Sequence, residues 1–401
     1  MLGTSYGIIP TVEQAPSFHV GLNAHLLSLR RSYRSAGANW YIYNILHHLP
    51  TADPELRYTS FLYEPLFFPP QGLDVRRSAW STGTPIRRIA WEQLVAPFVL
   101  RREHIDLLHA MAFVAPVISP CPTVVTVLDL SFLLYPRAFK VVNRSYLRTM
   151  TRLSVRKARQ VIAISESTRR DVIAHFGVPA SRVHTVYCGV DRSLRRATEA
   201  EIAAFRRRKG LPERFALFVG TIEPRKNIVR LVEAFSALRP WDVDHAHLVI
   251  AGAKGWLYDA VFARTQELGL QDRVHFAGYI SEAEKPLWYS AATCFCYPSL
   301  YEGFGLPPLE AMACGVPVIA SNASSLPEVV GEAGILVPPE DTEAWVESMR
   351  RVLTEPGLRE ELVSRGIEQA RRFSWDRCAE ETLAVYRRVG ATLVGDDGCT
   401  S

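Results

Sequence analysis

Residues 297–320, YPSLYEGFGLPPLEAMACGVPVIA, restrict what the surrounding chain can fold into more than any other stretch. Cys294 to Tyr297 close a short apolar run that reads as a buried strand. The turn Glu302-Gly303-Phe304-Gly305-Leu306 comes next, followed by Pro307 and Pro308. Proline is tolerated in a first helical turn because its missing N–H has no partner there. Leu309 to Cys314 read as a short helix, Gly315 as its stop, and Val316 to Ala320 as the next buried strand. A strand, a glycine loop and a helix N-terminus together present free backbone N–H groups and the positive end of a dipole, which suits an anion. Glu302 and Glu310 flank this loop with seven residues between them. Carboxylates repel a phosphate but accept hydrogen bonds from hydroxyls, so the pattern suits a ligand that carries both, a nucleotide sugar.

The stretch SLYEGFGLPPLEAMACGVPVIAS resembles the E-x7-E signature of family-4 retaining glycosyltransferases of GT-B fold, the group 1, mannosyltransferase-like type. A second stretch strengthens the resemblance. The strand FALFVG leads to Gly220-Thr221-Ile222-Glu223-Pro224-Arg225-Lys226-Asn227 and then to the helix IVRLVEAFSAL, which is similar to the family's G-x-x-x-P-R-K-N loop. A leaving nucleoside diphosphate gains negative charge as the glycosidic bond breaks, and fixed cations such as Arg225 and Lys226 neutralise it. Cations at a helix start oppose the dipole and need some such reason to be there. The resemblance runs over residues 18–390, through Ser325-Leu326-Pro327-Glu328-Val329-Val330 and Gly331-Glu332-Ala333-Gly334. It implies an α/β, GT-B fold of two Rossmann-like doubly wound domains facing across a cleft. The expected divisions are residues 1–192 as the acceptor-side domain, 193–375 as the nucleotide-sugar domain, and 376–401 as a last helix and tail crossing back.

Carried onto this chain, the resemblance gives Glu302 the donor-sugar hydroxyls and the oxocarbenium-like state, and Glu310 the ribose diol. Arg225, Lys226, Gly220 and the loop Gly303, Phe304, Gly305, Leu306 hold the diphosphate. Tyr279 and Ile280 after Gly278 meet the nucleobase. In the first half, the strand Phe18 to Leu22 leads past Arg30, Arg31 and Arg34 to Ser35-Ala36-Gly37-Ala38-Asn39 and the helix Trp40 to Leu49. Gly37 alone keeps the family's glycines at that loop, where the backbone approaches the donor phosphates. The strand Ile105 to His109 ends in the histidine that the resemblance sets near the donor sugar. The second histidine of relatives is replaced here by Met111 and Ala112. Thr123 to Leu128 is a buried strand ending in Asp129; relatives read T-x-H-D-L, and this chain has Leu128 in the histidine place but keeps Asp129 for the acceptor or its proton.

Residues 137–160 read as a basic helix, with Arg144, Arg148, Arg152 and Arg156 every four residues along one face, joined by Lys140, Lys157 and Arg159. Two expectations stand side by side: a solvated helix face, and peripheral contact with an anionic membrane or acceptor. Net charge is +5, and no recognition motif accompanies it, so nucleic acid is not expected. The seven cysteines are scattered, which argues against a disulfide framework and for a reducing compartment. Residues 1–17 do not read as a signal peptide, and no window is long and apolar enough to span a bilayer. The default expectation is a cytoplasmic enzyme, with contact at the inner face of the membrane as its extension. Asp242-Val243-Asp244 fits a metal-binding D-x-D pattern, but it precedes a strand in a loop far from Gly303 in the sequence. No metal and no other cofactor are expected. The donor reads as a GDP- or UDP-hexose and the acceptor as a glycan or lipid-linked hydroxyl.

Three rivals exist. A glycoside hydrolase pairs carboxylates but needs no phosphate apparatus. A dinucleotide oxidoreductase needs G-x-G-x-x-G after the first strand, which residues 18–45 lack. A non-catalytic nucleotide-sugar-binding partner protein fits the altered positions 111, 112 and 128.

Overall fold

The computed structural model describes residues 18–29, 37–136, 141–239, 243, 245–255 and 257–396, with 391–396 by backbone alone. Arg30, Arg31, Arg34, Ser35, Ala36, Lys140, Asp242 and Asp244 lie outside the described residues.

Two all-parallel sheets carry the fold. The first has β1 (His19–Asn23), β2 (Arg57–Leu62), β3 (Leu73–Arg77), β4 (Leu107–Ala110), β5 (Thr123–Val127), β6 (Gln160–Ala163) and β7 (Val183–Thr185), in the order β3-β2-β1-β4-β5-β6-β7. The second has β8 (Phe215–Val219), β9 (His247–Ala251), β10 (Val274–Gly278), β11 (Cys294–Tyr297), β12 (Val318–Ser321) and β13 (Ile335–Val337), in the order β10-β9-β8-β11-β12-β13. Both orders reverse beside the first strand, and a doubly wound sheet opens a crevice at that point, outside the carboxyl ends of its strands. The strands read as continuous apolar runs because helices cover both faces; every residue of β8 and β11 is buried. This is the GT-B, two-Rossmann architecture.

Thr198 caps the helix Glu199–Lys209 in a full capping box with Glu201, and Gly210 ends it in the left-handed conformation. That helix carries the chain from one sheet to the other. The last helix, Trp375–Asp396, packs against the first, Gly37–Ala52, and closes the first sheet's core with Tyr386 and Val389. Contacts hold the sheets together near the cleft. The amides of Glu166 and Ser167, at the start of the helix Glu166–Phe176, both donate to the Glu328 carboxylate at 2.7 Å. Tyr301 donates to Asp171 at 2.8 Å, while the Leu130 amide donates to the Tyr301 hydroxyl at 3.1 Å.

Two boundaries differ from the sequence reading. The helix expected from Leu309 begins at Leu306 and takes Pro307 and Pro308 into its first turn. The basic helix is described over Val141–Lys157 and ends three residues short of the expected 160, while residues 137–140 lie outside the described residues.

Candidate active site

The Glu302 loop leaves β11 at the second sheet's switch point, and the Arg225–Lys226 loop leaves its neighbour β8. The two loops are tied by the Leu300 amide, which donates to the Arg225 carbonyl at 2.9 Å. Glu302 is buried, and its carboxylate takes three donors, two on one oxygen and one on the other. Lys226 Nζ donates to Oε1 at 2.5 Å, Ser299 Oγ to the same oxygen at 2.5 Å, and Arg225 Nη1 to Oε2 at 3.2 Å. Arg225 is further held by the Tyr301 carbonyl and, at 2.7 Å, by Glu223; Lys226 donates to the Tyr297 hydroxyl at 2.7 Å. Burial alone would push the Glu302 carboxyl up, but Lys226 and Arg225 outweigh it and hold the group at about 2. Burial pulls the Arg225 guanidinium down, while Glu302, Glu223 and Asp129 together raise it above its ordinary value. Glu302 is therefore an ionised hydrogen-bond acceptor at neutral pH and a poor proton acceptor.

Glu310 sits in the helix Leu306–Ala313, buried, with Lys285 on Oε1 at 3.0 Å and the Tyr289 hydroxyl on Oε2 at 2.8 Å. Lys285 also bridges to Glu282 at 2.8 Å. Burial lowers the Lys285 ammonium's affinity for its proton, and Glu310 and Glu282 more than restore it. Ahead of this helix the amides of Phe304, Gly305 and Leu306 precede its first internal bond, Leu309 N to Gly305 O at 3.3 Å. Pro307 and Pro308 have no N–H, so the amide donors of this helix start ahead of Leu309 are confined to those three. Gly303 must be glycine: a Cβ there would lie 1.9 Å from the Leu128 carbonyl oxygen, in the first sheet's half. The loop and the segment after β5 thus touch backbone to backbone.

A cleft of about 500 Å³ runs between the halves. It is lined from the second sheet by Gly220, Arg225, Lys226, Tyr279, Ile280, Glu302 to Leu306 and Glu310, and from the first by Gly37, Trp40, Leu128 and Asp129. Gly37, the first described residue of its helix, faces Leu306. Tyr279 is half-exposed and Ile280 buried. Asp129 Oδ1 accepts from Ser131 N at 2.9 Å and from Ser131 Oγ at 2.6 Å, which orients the carboxylate. An apolar end of the cleft is made by Phe113, Phe132 and Leu147.

His109 is the correction. It lies within β4 rather than at its end and is fully buried outside the cleft lining. Its Nδ1 bonds the Tyr386 hydroxyl at 2.6 Å and its Nε2 bonds Thr126 Oγ1 at 2.7 Å. Burial holds the ring neutral, its pKa lowered to about 3. The last helix supplies Tyr386 to the face of β4 from which His109 projects, so the ring joins that helix to the sheet. Met111 and Ala112 are core residues. Sequence reasoning missed Ser299, Glu223, Lys285 and Tyr289. The pair Glu282 and Lys285, three apart, was a visible helix-surface signal, but nothing local marked that Lys285 would meet Glu310. Among the described residues, no group of three His, Cys, Asp or Glu side chains is placed to hold a metal ion, and no helix is long and apolar enough to cross a membrane.

Comparison with known proteins places these features. Residues 201–369 match the family model of glycosyl transferases group 1, and residues 35–194 match that of glycosyltransferase family 4. The chain is 34% identical over 266 residues to O-antigen chain mannosyltransferase B of Escherichia coli, covering 66% of this chain and 70% of that protein. It is 32% identical over 248 residues to the MMP alpha-(1->4)-mannosyltransferase of Mycolicibacterium hassiacum, covering 61% of this chain and 57% of the other. A serotype-specific mannosyltransferase WbdA of Escherichia coli matches at 30% over 238 residues, of which the chain spans 29% of the length. Among solved structures, sucrose-phosphate synthase from Thermosynechococcus elongatus has the same fold at TM-score 0.77 and 23% identity, covering 94% of this chain and all of that one. HepE of Anabaena in complex with UDP and glucose follows at TM-score 0.69 and 21% identity, with 94% and 99% covered.

Proposed function

The chain belongs to the group 1 glycosyltransferases and is a glycosyltransferase, and on that premise we propose that it moves a hexose, mannose or a close relative, from a nucleoside-diphosphate sugar to a hydroxyl of a glycan or lipid-linked acceptor, with retention at the anomeric carbon. One observation carries this reading: the Glu302 carboxylate held ionised between Arg225 and Lys226 at the cleft, beside the amides of Phe304 to Leu306. The mannosyltransferase relatives support the sugar.

In this account Arg225, Lys226 and the three amides receive the diphosphate. Their donors are fixed before the donor sugar arrives, so no reorganisation is needed as the leaving oxygen gains charge. Glu302 accepts hydrogen bonds from donor-sugar hydroxyls and offsets the positive charge that develops on the ring. Glu310, steadied by Lys285 and Tyr289, accepts the ribose diol, and Tyr279 and Ile280 border the base. Asp129, oriented by Ser131, meets the acceptor hydroxyl. Its proton passes to the departing phosphate oxygen, so neither a separate base nor a metal ion is required. The acceptor's apolar part lies against Phe113, Phe132 and Leu147. Synthesis takes place in the cytoplasm, with the basic helix Val141–Lys157 at the inner face of the membrane.

The test is transfer from GDP-mannose and from UDP-hexoses, followed by proton NMR of the product in the presence of EDTA. The reading expects donor-dependent product with the donor's own anomeric configuration. An inverted product, or none without divalent metal, overturns it.

A further inference from the structure

Residues 85–102 form one helical rod: the α-helix Pro85–Ala90, a π-helical turn Trp91–Val95, and the α-helix Ala96–Arg102. Pro97 has no N–H for the carbonyl four residues earlier, so the regular ladder breaks there. One side of the rod is committed: Trp91, Ala96 and Leu100 pack with Phe61, Ile105 and Leu108. The other side presents Ile86, Leu94 and Phe98 at 80%, 68% and 77% exposure. Leu94 and Phe98 are one turn apart and share a face.

This face continues across the neighbouring elements. Gln93 Oε1 accepts from the Val117 amide at 2.9 Å, and the next residue, Ile118, is 76% exposed. Ala115 N donates to Ser154 Oγ at 3.0 Å and Lys157 Nζ to the Val117 carbonyl at 3.0 Å, so residues 115–118 join the rod to the helix Val141–Lys157. That helix carries exposed Val141 and Val142. It carries Arg144, Arg148, Arg152, Arg156 and Lys157 and no Asp or Glu. The rod carries Arg87, Arg88, Arg101 and Arg102 against a single acid, Glu92, which is buried.

An aqueous face would intersperse acids among these arginines. An acidic protein partner would be served by the cations alone. Bulky exposed apolar side chains gathered on a face flanked by cations suit a fluid boundary that closes around each one. We infer that this face, made of the rod 85–102, Ile118 and the outer side of the Val141–Lys157 helix, rests on an anionic lipid bilayer, with Ile86, Leu94 and Phe98 entering the boundary between headgroups and chains. The inference rests on the lipid-linked acceptor proposed above and deepens it. Leu147, on the same helix as Arg148, lines the cleft, so the docked helix also borders the place proposed for the acceptor.

Co-sedimentation of the full chain with vesicles of phosphatidylcholine, alone and mixed with phosphatidylglycerol, tests this. The wild type binds the mixed vesicles and leaves the neutral ones. Leu94→Asp/Phe98→Asp weakens that binding by at least about tenfold. Arg148→Gln/Arg152→Gln weakens it by about fivefold per arginine. Both variants keep wild-type melting temperature and wild-type transfer to a short water-soluble acceptor. Absence of transfer in the wild type would strike at the proposed function, whereas vesicle binding reports on this face alone. Equal binding to both vesicles, or wild-type binding by either variant, overturns the inference. So does light scattering that finds a dimer which the Asp variant splits, because the face is then an interface between copies.

Discussion

Gly303→Ala is the substitution whose consequence follows most directly from the geometry. The added Cβ would lie 1.9 Å from the Leu128 carbonyl oxygen and 3.0 Å from both the Leu128 carbonyl carbon and Asp129 Cβ. Both sides of the contact are backbone, so no rotamer relieves it. The loop must retreat by about 1 Å or more, and a misplacement of that size at reacting groups costs about 100-fold in rate. The retreat separates the amides of Phe304 to Leu306 and the Glu302 carboxylate from Asp129, so the loss falls on kcat. The sheets can accommodate the methyl by parting, so the melting temperature falls by only a few degrees. Gly357→Ala is the control, since a Cβ there meets nothing within 4 Å. Steady-state kinetics with the preferred donor, alongside thermal melts, reads both effects. Wild-type kcat in Gly303→Ala would refute the backbone contact between the halves as a requirement of the closed cleft.

Three further outcomes are expected. Glu302→Gln leaves Arg225 and Lys226 buried without their shared counter-charge, a change that typically costs about 3–5 kcal/mol. Its melting temperature falls along with kcat, and unchanged melting would count against the clamp. Because Glu302 is held at about 2 against 4.5 unfolded, its contribution, on the order of 3 kcal/mol, is complete above pH 4.5 and is lost as pH falls toward 2; denaturant melts of wild type and variant should converge at the acid end. His109→Phe strands the Tyr386 hydroxyl, at about 1–3 kcal/mol for an unpaired buried group, while Thr126 keeps the Tyr41 hydroxyl at 3.1 Å; stability falls while kcat/KM stays within a few-fold, and a kcat collapse with intact stability would return His109 to the chemistry. Glu92, beside Asn23 and Arg88, is raised by burial to about 7 from 4.5, with Arg88 opposing. Its protonated form is the stable one, so wild-type stability is full below pH 4.5 and declines as pH rises toward 7; Glu92→Gln should flatten that decline in melts between pH 5 and 8.

Much of the fold could be read from the chain because its signals are local. The runs FALFV and CFCY are apolar on both faces, as parallel strands must be, and each ends in a glycine or proline loop. Glu302, Arg225 and Lys226 were legible for a related reason: charges beside glycines at strand ends have no purpose in packing. Their mutual contact was not legible, since β8 and β11 become neighbours only through the sheet's reversed order. The same holds for Lys285 and Tyr289 on Glu310, which come from the separate helix Lys285–Ala291. His109 was misplaced because β4 runs one residue further than its apolar run, to Ala110, and because its partner Tyr386 stands 277 residues away. The segment 50–104 gave no functional signal, because its exposed apolar residues stand apart in sequence and gather only on the folded rod.

The central claim is that Arg225, Lys226 and the helix-start amides form a diphosphate site that needs no metal. Calorimetric titration and thermal shift with UDP, GDP, ADP and TDP in EDTA test it most directly. The account predicts that one nucleotide binds and, at about 100-fold excess over its Kd, stabilises the fold by about 2.7 kcal/mol, and that Arg225→Ala abolishes the shift. Binding that requires a divalent metal, or binding that survives in Arg225→Ala, would contradict it.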